Sequence, residues 1–390
     1  FMLFEIDRQN DETVLAKIQT EVQQSIQDVH TIVSDFDAMR AQLKNVLALI
    51  NKQPHPLNPD DLQEGSAFLQ WLFEDNFVFF GYREHRLISQ DGEDQLQIVP
   101  GSSLGLLRKT DDKADASQLC RSFASLPPEA RCLARNPELL VITRSGSEST
   151  VHRPGYMDYI GIKQFNEQGE VIGEHRFLGL YTSAAYTGDT RNIPILRRKV
   201  ANVIKSTGSH ENSHQARALA DILETYPRDE MFQISEPELL ETALGILQLQ
   251  ERQKTTLFIR RDPFGRFYSC LVFIPRDHFN TDVRKRISAI LEQALRGESI
   301  KFSVKISESV LARVHFLIHI VPGTFTQHDS EKIQADIVAA IRPWRDYLHD
   351  ALLGHFGEEE GNRLHHHYSE GFRSDYLETY TPEVAVHDIQ

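Results

Sequence analysis

Residues 255–274 read TTLFIRRDPFGRFYSCLVFI. Two apolar runs rich in β-branched and aromatic residues flank Asp262-Pro263-Phe264-Gly265, so a strand, a tight turn and a returning strand are expected. Working outward, 281–296 places Val283, Ile287, Ile290, Leu291 and Leu295 on one helical face. Residues 300–306 and 314–321 alternate as two further strands, and 330–344 is again helical. Strand-strand-helix-strand-strand-helix predicts a two-layer α+β sandwich of ferredoxin-like character over 254–346. On the returning strand Phe267, Ser269, Leu271 and Phe273 share one face, and Tyr268, Cys270, Val272 and Ile274 share the other. With both faces this apolar, the sheet calls for a cover on the side away from its helices, from another domain or subunit.

A second sheet domain is expected over 60–187. Asn58 caps a helix with Pro59 at its first position and acids in its first turn. Strand patterns follow at 77–87, 95–99, 104–108, 139–143, 156–165 and 170–182, separated by turn residues. Residues 109–136 are polar and read as a long loop, and Arg144–Ser149 as a mobile one. Helical patterns fill the rest. In 9–59 apolar residues recur every three or four positions, which suggests a connector or an antiparallel helix pair. In 188–253 Tyr226–Glu230 breaks the run, and Ser235 with Glu238 makes a capping box. A helical tail over 347–390 is expected to break at Gly361 and Pro382. Residues 1–8 read as one short strand, the last of a truncated domain.

Composition narrows the function. Of 390 residues, 40% are hydrophobic and 25% charged, enough for more than one core. No apolar run approaches the ~20 residues that span a bilayer. The start of the chain has no secretory pattern, and three scattered cysteines, Cys120, Cys132 and Cys270, suit a reducing cytoplasm. With 56 acidic against 42 basic residues the net charge is −14, which disfavours nucleic acid and anionic lipid as partners.

Chemistry-bearing motifs are sparse. His365-His366-His367 diverge around a helix and do not share a metal, and His315 and His319 fit a sheet better than a ligand set. Gly101-Ser102-Ser103-Leu104-Gly105 hints at a phosphate loop but lacks the lysine and the following helix, and reads as a turn. No G-x-G-x-x-G or G-x-S-x-G occurs. The aromatics of the strands, Tyr159 and Phe177 among them, are expected to pack the sheet. Arg260, Arg261 and Arg266 crowd one hairpin turn with Asp262; they make either a solvated turn or a loop that docks an anion or an acidic partner. Catalytic, cofactor and metal residues are expected to be absent.

Several stretches together resemble one family. They include Phe68–Leu72 with Asn76–Arg83, Gly105–Arg108, His152–Ile160, Phe177–Thr182, Pro194–Lys199, Pro227–Gln233 and Pro275–Asp277. In this order they are similar to the N-terminal segment of the large bacterial NAD-specific glutamate dehydrogenases. The resemblance implies ACT-like and PAS-like regulatory domains in a homo-oligomer, with a catalytic domain elsewhere in a longer polypeptide. That domain would convert L-glutamate and NAD to 2-oxoglutarate, ammonia and NADH. It further implies a PAS-like domain at 60–187, an ACT-like domain at 254–346 and the tail of another ACT-like domain at 1–8, with the rest of the polypeptide as partner and an amino acid as a possible effector. NAD belongs to the longer polypeptide, and no catalytic residue carries over to this chain. Two other classes compete: a free-standing small-molecule sensor or scaffold, and an independent hydrolase, which the missing nucleophile motif opposes.

Overall fold

A computed structural model describes residues 8–52, 56–90, 93–108, 120–122, 128–208, 210, 213–252, 254–306, 309–321, 328–342 and 344–389. The strand expected over 2–8 lies almost wholly outside them. The chain divides into two units, Phe1–Leu247 and Gln248–Gln390.

In the first unit, Glu12–Ile50 is one continuous helix of 39 residues, not a pair. No Gly or Pro interrupts 9–53, and Ser34 bonds back to His30 O (2.8 Å) instead of capping a new helix. Asp11 caps it through Thr13 N (2.8 Å). Its C-terminal half buries Ile32, Met39, Leu43, Val46 and Ile50. The helix Pro59–Trp71 starts with Asn58 and Pro59 as expected. A π turn, Leu72–Asn76, then leads into the sheet.

The strands are β1 (Phe77–Gln90), β2 (Glu93–Ile98), β3 (Leu104–Gly105), β4 (Cys120–Ser122), β5 (Leu140–Glu148), β6 (Tyr156–Phe165) and β7 (Val171–Tyr181). Their order is β4-β2-β1-β7-β6-β5, with β3 also on β1, and every pairing is antiparallel. Phe79, Phe177 and Tyr82 meet with ring centroids 5.7 and 4.9 Å apart, so these aromatics do pack the sheet. Two expected loops are structured. Within 109–136 the helix Pro128–Arg135 forms, and Arg144–Glu148 continues β5 through a register shift. Alternation stops at this bulge, which is why composition suggested a loop.

Helices Leu196–Ser206, His214–Thr225, Arg228–Gln233 and Glu236–Arg252 follow. Within the expected break only Tyr226 and Pro227 are non-helical, and Pro227 caps the short helix Arg228–Gln233. The Ser235–Glu238 capping box is present, with Ser235 Oγ donating to Glu238 Oε2 (2.6 Å).

The second unit contains β8 (Thr256–Arg261), β9 (Phe267–Pro275), β10 (Ser299–Lys305) and β11 (Leu311–His319), in the order β10-β11-β9-β8 and all antiparallel. With helices Thr281–Leu295 and Ser330–Ile341, this is the expected strand-strand-helix-strand-strand-helix layer, entered at its edge strand β8. Tyr268, Cys270, Val272 and Ile274 join Val283, Ile287, Leu291, Ile333 and Ile337 in one core. Phe267, Ser269, Leu271 and Phe273, on the other face, are buried too.

Four further helices, Trp344–Phe356, Glu358–Tyr368, Ser374–Thr379 and Pro382–Ile389, gather around Leu348, Leu352, Ala385 and Val386. Gly361 lies inside a helix and does not break it. A Cβ there would meet Leu352 O at 2.9 Å, so glycine permits close helix approach. The break is at Gly357, with φ +83°.

Candidate functional site

A buried polar cluster of the first unit sits where β5, β6 and β7 meet two short helices. Arg144 on β5 stands directly opposite Asp158 on β6. Both are buried. Arg144 Nη2 donates to Asp229 Oδ2, on the helix Arg228–Gln233. Asp158 Oδ2 receives the Tyr181 amide at 3.4 Å. Tyr186, on the helix Ser183–Thr187, bonds Asp229 and accepts from Arg153 Nη2 (2.9 Å). Three strands, two short helices and the loop carrying Arg153 therefore converge on two arginines and two aspartates.

Burial first, and then the Asp229 charge, push the Asp158 carboxyl up to about 8, against the opposing pull of Arg144. Burial thus favours the protonated form of Asp158, while Arg144 bridges to Asp229. Burial alone would loosen the Arg144 proton, but Asp229 and Asp158 outweigh it and raise its pKa. The Tyr181 and Tyr186 hydroxyls are driven up, chiefly by burial. Tyr181 continues into an aromatic wall, stacking on Phe232 at 4.5 Å with Trp71 at 6.3 Å. Chemically the cluster is a lock: a buried carboxyl and an ion pair that tie a short helix to the sheet.

Two more carboxylates serve as internal anions. Asp35 of the long helix accepts from Arg108 Nε and Nη2 (both 2.6 Å) and from the Gly105 amide (2.7 Å). The Gly101–Gly105 turn thus offers an amide to an anion, and that anion is the chain's own aspartate. Glu64 accepts from Arg197 Nε and Nη2 (both 2.8 Å) and from the Ile195 amide (2.7 Å). The Arg197 hydrogen bonds hold its carboxyl below the usual range. Lys199 Nζ donates to Met231 O (2.8 Å) and Ile234 O (2.6 Å), capping the helix that carries Asp229.

In the second unit the hairpin arginines have distinct surroundings. Arg266 donates to Asp262 through its amide (3.1 Å) and Nε (2.9 Å), and its guanidinium lies 4.7 Å from the Phe264 ring. Arg260 is buried, with its guanidinium 5.9 Å from the Phe267 ring. Arg261 lies at the end of β8, half-buried. Gly265, at φ +66°, closes the turn. His315 Nε2 pairs with Ser269 Oγ (2.9 Å), and the His319 ring packs 5.7 Å from Phe267. His365 packs against His349 with ring centroids 4.4 Å apart. Among the described residues no group of three or more His, Cys, Asp or Glu is placed to hold a metal. Nor is any described helix long and apolar enough to cross a membrane.

Sequence reasoning missed Arg144, Asp158 and Asp229. The signal was there: a lone acid in Tyr-Met-Asp-Tyr-Ile and a lone arginine after Val-Ile-Thr are charges within apolar strands, which burial forces to pair. Most of these pins lie in stretches that carried the family resemblance.

Residues 256–345 match the family described as "Glutamate dehydrogenase, ACT2 domain". Residues 193–252 match its helical motif 1 and residues 351–390 its helical motif 2. Over 387 residues, 99% of this chain, the sequence is 39% identical to an NAD-specific glutamate dehydrogenase of Halomonas elongata. The chain is a relative of one segment of the NAD-specific glutamate dehydrogenases. The namesake from Pseudomonas aeruginosa is 33% identical over 100% of the chain, and that from Mycobacterium tuberculosis 27% over 97%. The chain spans about a quarter of the length of these curated relatives (24%, 24% and 23%). The ACT2 match begins at Thr256, the first residue of β8, and ends just inside the helix Trp344–Phe356.

Proposed function

We propose that this chain is the noncatalytic N-terminal regulatory and assembly segment of an NAD-dependent glutamate dehydrogenase. The whole polypeptide would oxidatively deaminate L-glutamate to 2-oxoglutarate and ammonia, reducing NAD to NADH in the cytoplasm. The observation that carries the reading is the match of the whole chain to about a quarter of each relative, with an ACT2 domain inside it. In support, Arg144 of the buried cluster is paired with Asp229, and the sequence lacks a dinucleotide fingerprint.

On this reading the sheet of 60–187 is a PAS-like regulatory domain, the segment assembles as a homo-oligomer, and NAD binds outside it. An amino-acid effector acts through the ACT-like domain. Arg260, Arg261 and Arg266 remain our candidates for docking its carboxylate or an acidic partner. The test is NADH formation from glutamate and NAD. The 390-residue chain gives none and the natural full-length polypeptide gives sustained turnover. Turnover by the pure 390-residue chain, or none by the full-length polypeptide, overturns the proposal.

A further inference from the structure

We propose that Pro194-Ile195 is a two-state hinge between the sheet of the first unit and the helix Leu196–Ser206. Glu64 holds the hinge in a strained state, and it relaxes by adding both residues to that helix.

The strain lies in the backbone. Ile195 has φ +70° and ψ −51°, close to the rare, strained γ-turn. A left-handed φ drives Cβ against a neighbouring carbonyl, and a β-branched side chain tolerates it worst. Among the described residues with positive φ, Ile195 alone is β-branched. Such a conformation persists only where its surroundings over-determine it. Here they do so through Glu64, a buried residue of the helix Pro59–Trp71. Its Oε1 accepts from the Ile195 amide (2.7 Å), and the same carboxylate accepts from Arg197 Nε and Nη2 (both 2.8 Å). On the same face of that helix, three residues earlier, Asp61 pairs with Arg198 (2.5 Å). Ile195, Arg197 and Arg198 are thus clamped to one neighbouring helix.

The relaxed state follows from the order Asn192-Ile193-Pro194-Ile195-Leu196. The helix Leu196–Ser206 starts with no side-chain cap from its N-cap residue, Ile195. Proline is favoured at the first position of a helix, and Pro194 stands two residues ahead of the present start. Ile193, as the residue before a proline, is kept extended at φ −95° and ψ 116°, so growth stops there. The Arg197 amide already reaches Ile193 O and the Lys199 amide Ile195 O (both 2.9 Å), which is the spacing of the longer helix. Turning Ile195 to helical angles lengthens the helix by about 3 Å and takes the Ile195 amide away from Glu64. The match to helical motif 1 begins at Ile193, so the hinge sits at the entrance to that motif. Lys199, whose Nζ caps the helix Arg228–Gln233, moves with the helix. The hinge is thereby coupled to the Arg144–Asp229 pair.

The test compares melting temperatures of the 390-residue chain, read by Trp71 fluorescence in a Trp344→Phe background. Ile195 is half-buried, and glycine and alanine give up nearly the same side-chain contacts there. At a left-handed site glycine is the more stable of the two, and at a helical site alanine is. With Glu64 in place, Ile195→Gly is expected to melt about 2–4 °C above Ile195→Ala. In a Glu64→Ala background the order is expected to reverse, because Ile195 has joined the helix. Arg197 is half exposed and turns to water when its partner is removed. Glu64→Leu, which fills the space, serves as the open clamp if Glu64→Ala does not melt cooperatively. Ile195→Ala melting at or above Ile195→Gly with Glu64 in place refutes the strain. Glycine staying above alanine once the clamp is open refutes the relaxed helix and leaves a fixed turn.

Discussion

Arg144 and Asp229, 85 residues apart in sequence, form a buried ion pair that fastens the helix Arg228–Gln233 to the middle of β5. Breaking such a pair from one side strands a charge in a medium that solvates it poorly. Asp229→Ala is expected to cost about 3–5 kcal/mol, and the double change Arg144→Met with Asp229→Leu to recover most of it. Denaturant unfolding followed by Trp71 fluorescence, in a Trp344→Phe background, reads the first unit. A cost below about 1 kcal/mol would mean that the pair is solvated.

Asp158 gives the same unit a pH dependence. Its folded pKa, about 8, lies above the ordinary 3.8, so between these values the folded state holds a proton that the unfolded chain has released. Stability contributed by this group is full below pH 4 and is lost as pH rises toward 8, by at most about 1.4 kcal/mol per pH unit. Asp158→Asn, which keeps the shape and cannot ionise, should lessen the decline between pH 5 and 8 relative to wild type. Parallel stability curves would contradict the assignment.

Gly105 sits at φ +61°, and a Cβ there would lie 2.2 Å from Phe80 O. Its amide also holds Asp35. Gly105→Ala is expected to destabilise the first unit by about 1–3 kcal/mol through backbone strain alone, and by more once the clash is included. Gly101, at φ +74° with open space around it, should show a smaller loss on the same substitution. Equal losses would show that strain, not the close approach, governs this turn.

Consecutive histidines on the helix Glu358–Tyr368 diverge by about 100° per residue. Adding a chelator to the chain should leave its melting curve unchanged, and elemental analysis should find no stoichiometric zinc. One tightly held zinc per chain, lost in a His365→Ala/His366→Ala/His367→Ala variant, would contradict this.

The second unit was the more legible in sequence. Its elements are joined by short turns such as Asp262–Gly265, and its alternation and helical stripes are clean, so local pattern and tertiary structure agree. In the first unit the caps at Asp11, Asn58 and Ser235 were legible for the same reason. What escaped was long-range. No local rule says that a carboxylate at 229 will meet an arginine at 144, or that the glycine turn at 101–105 will hold Asp35. The bulge after Arg144 hid a strand, because alternation fails where an extra residue enters a ladder. The long helix looked like two because its apolar stripe changes sides. Val22, Ile26, Val29 and Val33 are exposed, while Met39, Leu43 and Val46 are buried.

If this chain is one part of a longer dehydrogenase, as proposed, the intact mass of the natural polypeptide will show it. With the chain covering 24% of its Halomonas and Pseudomonas relatives, a polypeptide about four times as long is expected. A natural product of 390 residues would contradict it and would favour a free-standing sensor or scaffold built from the same domains.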